Sequence, residues 1–306
     1  MTAERKALLQ IHACVVLWGF TAILGKLISL PAAALVWWRM LIVALALALL
    51  PRVWRSLRAM PPRLIGIYSG IGVVVALHWL TFYGAIKLAN ASVAATCMAL
   101  GSVFAAVLEP RFTGRRMSWR ELALGLAAIP GVALVVGGID AGLRVGFAVG
   151  VVSGALTAVF TVMNKRWATR SDALAVTWVE MVAGWLFVWL SLPLVALLPA
   201  ADASLSVPDG RDGALLLVLA LACTVLPFAL SLIALRQVSA FSMQLALNLE
   251  PVYAIALAIV LLGEHRELSG AFYLGVAIVL AAVFVQPLLR RRDLHPQSTD
   301  AGGTGG

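Results

Sequence analysis

Apolar runs of about 20 residues recur along this chain, the length at which one helix crosses the ~30 Å hydrocarbon core of a bilayer. Lipid offers nothing to pair with the backbone, so such runs close their own hydrogen bonds as α-helices. They fall at about residues 7–28, 33–50, 64–86, 91–110, 121–139, 145–164, 173–198, 214–235, 241–264 and 270–289. Of the 306 residues, 62% are hydrophobic and 12% charged; soluble domains average about 45–50% and about 25%. The expectation is an all-α polytopic membrane protein with about ten transmembrane helices, and a soluble globular domain is excluded. The first run follows Arg5 and Lys6 and precedes Ala32-Ala33-Ala34, as a signal peptide would. It is longer than the about 7–15 residues of a signal core and carries Lys26, so it reads as an uncleaved first helix.

Charge then sets the orientation. With the N-terminus inside, 17 of the 23 lysines and arginines fall in inner segments. They cluster at Arg5–Lys6, between Arg52 and Arg63, between Arg111 and Arg120, between Lys165 and Arg170, at Arg236 and at Arg290–Arg292. This bias predicts both termini in the cytoplasm and a place in the cell inner (plasma) membrane. It also accounts for the net charge of +9, so nucleic acid is not an expected partner. Residues 290–306 are expected to form a disordered cytoplasmic tail. Cys14, Cys97 and Cys223 lie inside separate apolar runs and read as packing residues, without metal or disulfide spacing.

The ninth run, Phe241–Glu264, carries the strongest functional signal. Glu250 and Pro251 stand near its middle. A charge at the bilayer centre costs about 2.5–3.5 kcal/mol on insertion scales. A proline there frees a carbonyl that something else must satisfy. Gln244, Asn248 and Pro251 follow at i, i+4 and i+7, one polar face expected to look inward. At 1.5 Å per residue, Glu250 lies roughly 14 Å deep, His78 roughly 12 Å from the outer surface and Arg39 roughly 9 Å. These three are close enough in depth to share one cavity, while Glu180 lies nearer the inner surface. Arg39 or His78 is expected to meet an anionic group on a substrate or to pair with Glu250. Trp79 and Tyr83 add an aromatic patch beside His78. Gly146, Gly150 and Gly154 form one close-packing face, and Gly66 with Gly70 another.

The chain also repeats internally. At an offset of 149, Lys87–Ala91 falls on Arg236–Ala240, Val103 on Val252 and Phe104 on Tyr253. At an offset of 139, Trp18 through Lys26 falls on Thr157 through Lys165. Arg39-Met40 and Glu180-Met181 occupy similar places in the second and seventh runs. This order divides the chain into residues 1–140 and 141–289, five helices each. Five is odd, so the halves enter the membrane from opposite sides as an inverted repeat, with the substrate site near the midplane.

Trp18-Gly19-Phe20 through Lys26, Arg39, and Asn248-Leu249-Glu250-Pro251-Val252-Tyr253 through Gly263-Glu264 to Gly275 resemble the drug/metabolite transporter superfamily, in particular proteins with two EamA-type domains. The resemblance covers roughly residues 8–288. It implies a ten-helix fold and transport of small metabolites, often export of amino acids or related compounds. The first half departs from the pattern, with Ser102 where Pro251 would be and Arg115 where Glu264 would be.

The reading is therefore a secondary transporter for a small organic molecule, with a proton, bound at Glu250 or His78, as the candidate coupling ion. Glu250, His78, Arg39, Trp79, Tyr83, Gln244 and Asn248 are the candidate substrate or ion contacts. Pro251, Glu180, Trp18 and Lys26 are gate or structural candidates. The sequence has no phosphate loop, zinc spacing or hydrolase triad, so no enzyme activity, metal or cofactor is expected. An uncoupled facilitator or uptake carrier, and a membrane-embedded scaffold or sensor, remain open as alternatives, as does the choice between monomer and homodimer.

Overall fold

The computed structural model describes residues 3–114, 116, 119–127, 129–167, 169–197, 202, 204–247 and 249–293. All its regular elements are helical. The first half holds α1 (Ala3–Leu27), α2 (Ala32–Ala48), α3 (Pro51–Arg58), α4 (Pro62–Leu88), α5 (Ala91–Met98), α6 (Gly101–Thr113), α7 (Trp119–Leu126) and α8 (Ile129–Gly137). The second holds α9 (Arg144–Trp167), α10 (Ala173–Val195), α11 (Gly210–Ala220), α12 (Leu226–Ala234), α13 (Ala240–Leu247), α14 (Glu250–Leu257) and α15 (Gly270–Asp293). A π turn, Leu221–Val225, joins α11 to α12, and another, Ala258–Leu262, ends α14.

The ten expected runs all appear as helix, in order. Among the described residues six helical stretches are long and apolar enough to cross a membrane unaided: 5–27, 62–88, 91–113, 141–167, 173–194 and 210–234. The rest fall short for local reasons. Pro51 cannot continue α2 but starts α3, which turns by 87°. In α3 the arginines 52, 55 and 58 line one side and Val53 is buried, the pattern of a helix lying in the membrane surface. Pro130 interrupts the fifth run and Pro251 the ninth. The last helix continues through Arg290–Asp293, past the expected boundary at 289, and the remainder of that tail lies outside the described residues.

The internal repeat reaches down to individual hydrogen bonds. The fourth run tightens at Ala99–Leu100, where Leu100 N–H donates to Cys97 O (3.2 Å), Val103 to Leu100 O (3.0 Å) and Phe104 to Leu100 O (3.3 Å). In the ninth run Leu249 donates to Ala246 O (3.1 Å), Val252 to Leu249 O (3.1 Å) and Tyr253 to Leu249 O (3.3 Å). Each bond matches its counterpart at the offset of 149. Packing repeats as well, across the halves: α1 lies against α12 and α14, while α9 lies against α4, α5 and α6. The first helix of each half thus packs on the third and fourth of the other.

The expected asymmetry at Glu264 is corrected. Glu264, at the end of the ninth run, accepts from Ala91 N–H (3.0 Å) and Ser92 N–H (2.9 Å) at the start of α5. Glu109, in the second half of α6, accepts from Ala240 N–H (3.1 Å) and Phe241 N–H (2.9 Å) at the start of α13. Each carboxylate satisfies orphan amides and meets the positive end of the other helix. The counterpart of Glu264 is therefore Glu109, six residues before the position that a constant offset indicates. Arg115 lies outside the described residues. The helices themselves end in register, for Gly114 closes α6 in the left-handed conformation (φ 74°) as Gly263 closes the π turn after α14 (φ 69°), so Glu109 reaches its amides from inside its helix and Glu264 from just beyond its own.

The glycines divide. A Cβ on Gly150 would lie 2.7 Å from Cys97 Sγ, and one on Gly154 2.6 Å from Cys97 O, so this face of α9 packs closely as expected. Gly66 and Gly70 do not pack on another element, for a Cβ on either would meet no other part of the described residues within 4 Å. The close approach on α4 is made instead by Gly72, which faces α10. The i, i+4 spacing of Gly66 and Gly70 points outward, and Gly72 stands off that row.

Candidate functional site

One interior cavity collects residues from both halves. Trp18 and Thr21 of α1, Arg39 of α2, and His78, Trp79 and Phe82 of α4 line it from the first half. Thr157, Phe160, Thr161 and Asn164 of α9 line it from the second, with Phe228 and Ser231 of α12, Gln244 of α13 and Glu250 of α14. Its volume is about 60 Å³, room for about two waters and far below the about 300–1,000 Å³ of a pocket that buries a drug-sized ligand. An organic molecule enters only if these helices part.

Arg39 turns inward and is buried. Its guanidinium lies over the Trp79 ring, 3.7 Å from the centroid, a cation–π contact. Nε donates to Thr224 Oγ1 (2.8 Å), Nη1 to Tyr83 Oη (2.6 Å) and Nη2 to Cys223 O (3.4 Å). The backbone of the eighth run is prepared for this contact. Pro227 has no N–H to return to the Cys223 carbonyl, and the π turn re-aims the carbonyls around it. Tyr83 in turn occupies the place a side chain on Gly25 would fill. Three of Arg39's five N–H groups are thereby committed.

Glu250 opens α14 where the ninth run is broken, and its carboxylate makes no hydrogen bond or ion pair with another described residue. Gly19 makes room for this segment, since a Cβ there would lie 2.9 Å from Tyr253 Cβ. His78 Nδ1 lies 3.0 Å from Ser153 O and 2.9 Å from Ser153 Oγ, and Ser153 Oγ donates to His78 O. Assigning the Nδ1 proton to the Ser153 carbonyl leaves Nε2 as the ring's acceptor. The aromatic rings form one wall: His78 meets Phe160 at 5.4 Å, Phe160 meets Phe228 at 6.2 Å, and Phe228 meets Trp79 at 5.9 Å and Trp18 at 6.4 Å. Gln244 spends Nε2 on Thr157 O (3.2 Å) and Thr161 Oγ1 (2.9 Å), tying α13 to α9.

Of the residues singled out from the sequence, Glu250, His78, Arg39, Trp79, Gln244 and Trp18 therefore converge on the cavity. Tyr83 stands behind Arg39 and positions it. Pro251 is buried at the start of α14 without lining the cavity, and Lys26 is exposed at the end of α1. Glu180 is buried against α4, away from the lining. Asn248 lies outside the described residues. Sequence reasoning missed Thr157, Thr161 and Asn164, although Ser153, Thr157, Thr161 and Asn164 form one polar face at helical spacing, the same signal that marked Gln244. Phe160 and Phe228 carry no such signal among the apolar residues around them.

Among curated proteins no sequence matches this chain. Among the solved structures similar to this chain is a crystal structure with a TM-score of 0.64 at 20% identity, covering 94% of this chain and 98% of that one, which shares the fold. The family model described as the EamA-like transporter family matches twice, over residues 5–137 and 144–286. This multi-pass membrane protein belongs to the EamA-like transporter family.

Proposed function

We propose that the protein is a secondary transporter that exports a small zwitterionic metabolite such as an amino acid across the inner membrane by alternating access. The carrying observation is the pair of opposite charges on one cavity. Glu250 makes no hydrogen bond or ion pair with a described residue, Arg39 acting on it through charge alone, and Arg39 keeps two N–H groups for a substrate carboxylate. The aromatic wall then receives an apolar side chain. Contacts exchanged between the halves, and the antiparallel run of the fourth and ninth helices implied by their reciprocal caps, support an inverted pair that rocks about the midplane. The positive-inside bias supports cytoplasmic termini.

The test is a thermal-shift screen of purified protein against amino acids, sugars, nucleobases and organic cations, followed by flux of each hit in proteoliposomes. Zwitterions are expected to stabilise the wild type, and Glu250→Gln to abolish both that stabilisation and the flux. Undiminished flux in a folded Glu250→Gln protein would remove this carboxylate from the mechanism.

A further inference from the structure

Glu180 is fully buried, and neither of its carboxyl oxygens has a hydrogen-bond partner among the described residues. It cannot be drawn out to water by a small shift of its backbone. At this crossing its carbonyl oxygen and Cα lie 2.2 and 2.7 Å from where a Cβ on Gly72 would stand, so α10 and α4 are in backbone contact. Asn164 of α9 is the polar side chain that reaches toward it. The Oδ1 of Asn164 is likewise buried and unpartnered, and the same residue lines the central cavity. A buried acid whose oxygens the structure leaves unpartnered thus stands beside an amide that opens onto the cavity. Buried polar atoms are rarely left so, and a proton on the acid removes a charge from the membrane interior.

The surrounding charges leave this acid without a counter-ion. Tyr68 of α4 is the titratable side chain that acts on it, and its hydroxyl already donates to Trp167 O. Arg39 of α2 is committed to Tyr83 and Thr224, and His78 of α4 to Ser153. Arg52 of α3 pairs with Asp172 at the surface, and Lys165 of α9 donates to Leu235 O. α12 carries no charged residue.

We propose that Glu180 and Asn164 form a proton-binding site that couples the cavity to the proton gradient. In the conformation described here the acid is neutral, and Asn164 links it to the cavity. When α9 and α10 part, water reaches the pair, accepts the proton and solvates the carboxylate. The proposal rests on the transporter reading above and places the coupling proton apart from the substrate's contacts at Glu250.

The experiment uses the full-length protein in two measurements. Infrared difference spectroscopy, without substrate, is expected to show a neutral carboxyl band that disappears in Glu180→Gln. In proteoliposomes, Glu180→Gln is expected to keep substrate exchange within about twofold while flux driven by a pH gradient falls at least tenfold. Asn164→Leu removes the polar neighbour that favours the carboxylate, so the pH midpoint of driven flux should move to higher pH by about one unit. The proposal is overturned if no band is lost, if Glu180→Gln still follows the pH gradient, or if a sodium gradient drives the flux instead. A Glu180 band without wild-type flux of any zwitterion would support the proton site and refute the substrate reading.

Discussion

The contact between α4 and α10 makes the sharpest prediction, because two glycines on one helix should respond with opposite signs. Gly72→Ala places a methyl group 2.2 Å from the Glu180 carbonyl oxygen and 2.7 Å from its Cα. Both atoms are backbone, so no rotamer change relieves the overlap. Restoring an ordinary contact of about 3.4 Å requires the helices to part by about 1.2 Å at this point, and a gap of about 1 Å forfeits up to about half of each neighbouring dispersion contact. Gly184, across the same crossing, already lies close to Gly72 O and Met40, so α10 has no empty space to tilt into. Overpacking of this kind costs about 1–3 kcal/mol, and a backbone clash belongs at or above the top of that range. Gly70→Ala, two residues earlier, meets nothing within 4 Å. It should be neutral or stabilising by up to about 1 kcal/mol, since alanine is the better helix former. The assay is thermal unfolding of the two variants in one detergent, with size exclusion to confirm that each remains monodisperse. Gly72→Ala melting at or above Gly70→Ala would refute the backbone crossing, and with it the confinement of Glu180.

Two further outcomes follow from the polar contacts. Arg39→Gln should destabilise by about 3–5 kcal/mol in the same assay, because it strips Tyr83 Oη and the Cys223 carbonyl of a charged donor and removes the stack on Trp79; Arg39→Lys should not rescue it, having no planar fork to span the three partners. Glu264→Ala and Glu109→Ala should each cost about 1–2 kcal/mol as lost helix caps. Hydrogen exchange should separate them, with Ala91 and Ser92 losing protection only in the first and Ala240 and Phe241 only in the second; equal protection in both would refute reciprocal capping.

Much of this protein is legible in its sequence because the bilayer restricts the choices. Runs of about 20 apolar residues have to be helices, and the basic residues between them orient those helices, so the fold class and the polar interruptions at Glu250, Arg39, His78 and Glu180 follow from composition and spacing. The repeat is legible too, since its offset of 149 pairs residues whose backbone hydrogen bonds match. Tertiary structure decided which way each of these side chains faces. A periodic pattern shows that polar residues share a face, not what that face touches, and for this reason Arg39 is satisfied by Thr224 and Cys223 from the eighth run while Glu250 is left to the cavity. It also decided the partner of Glu264, because the constant offset aligns the helix ends at Gly114 and Gly263, while Glu109 reaches its amides from inside the helix and Glu264 from beyond it. The crossing at Gly72 and the isolation of Glu180 depend on two helices more than 100 residues apart in sequence meeting at one point, a contact that no local pattern encodes.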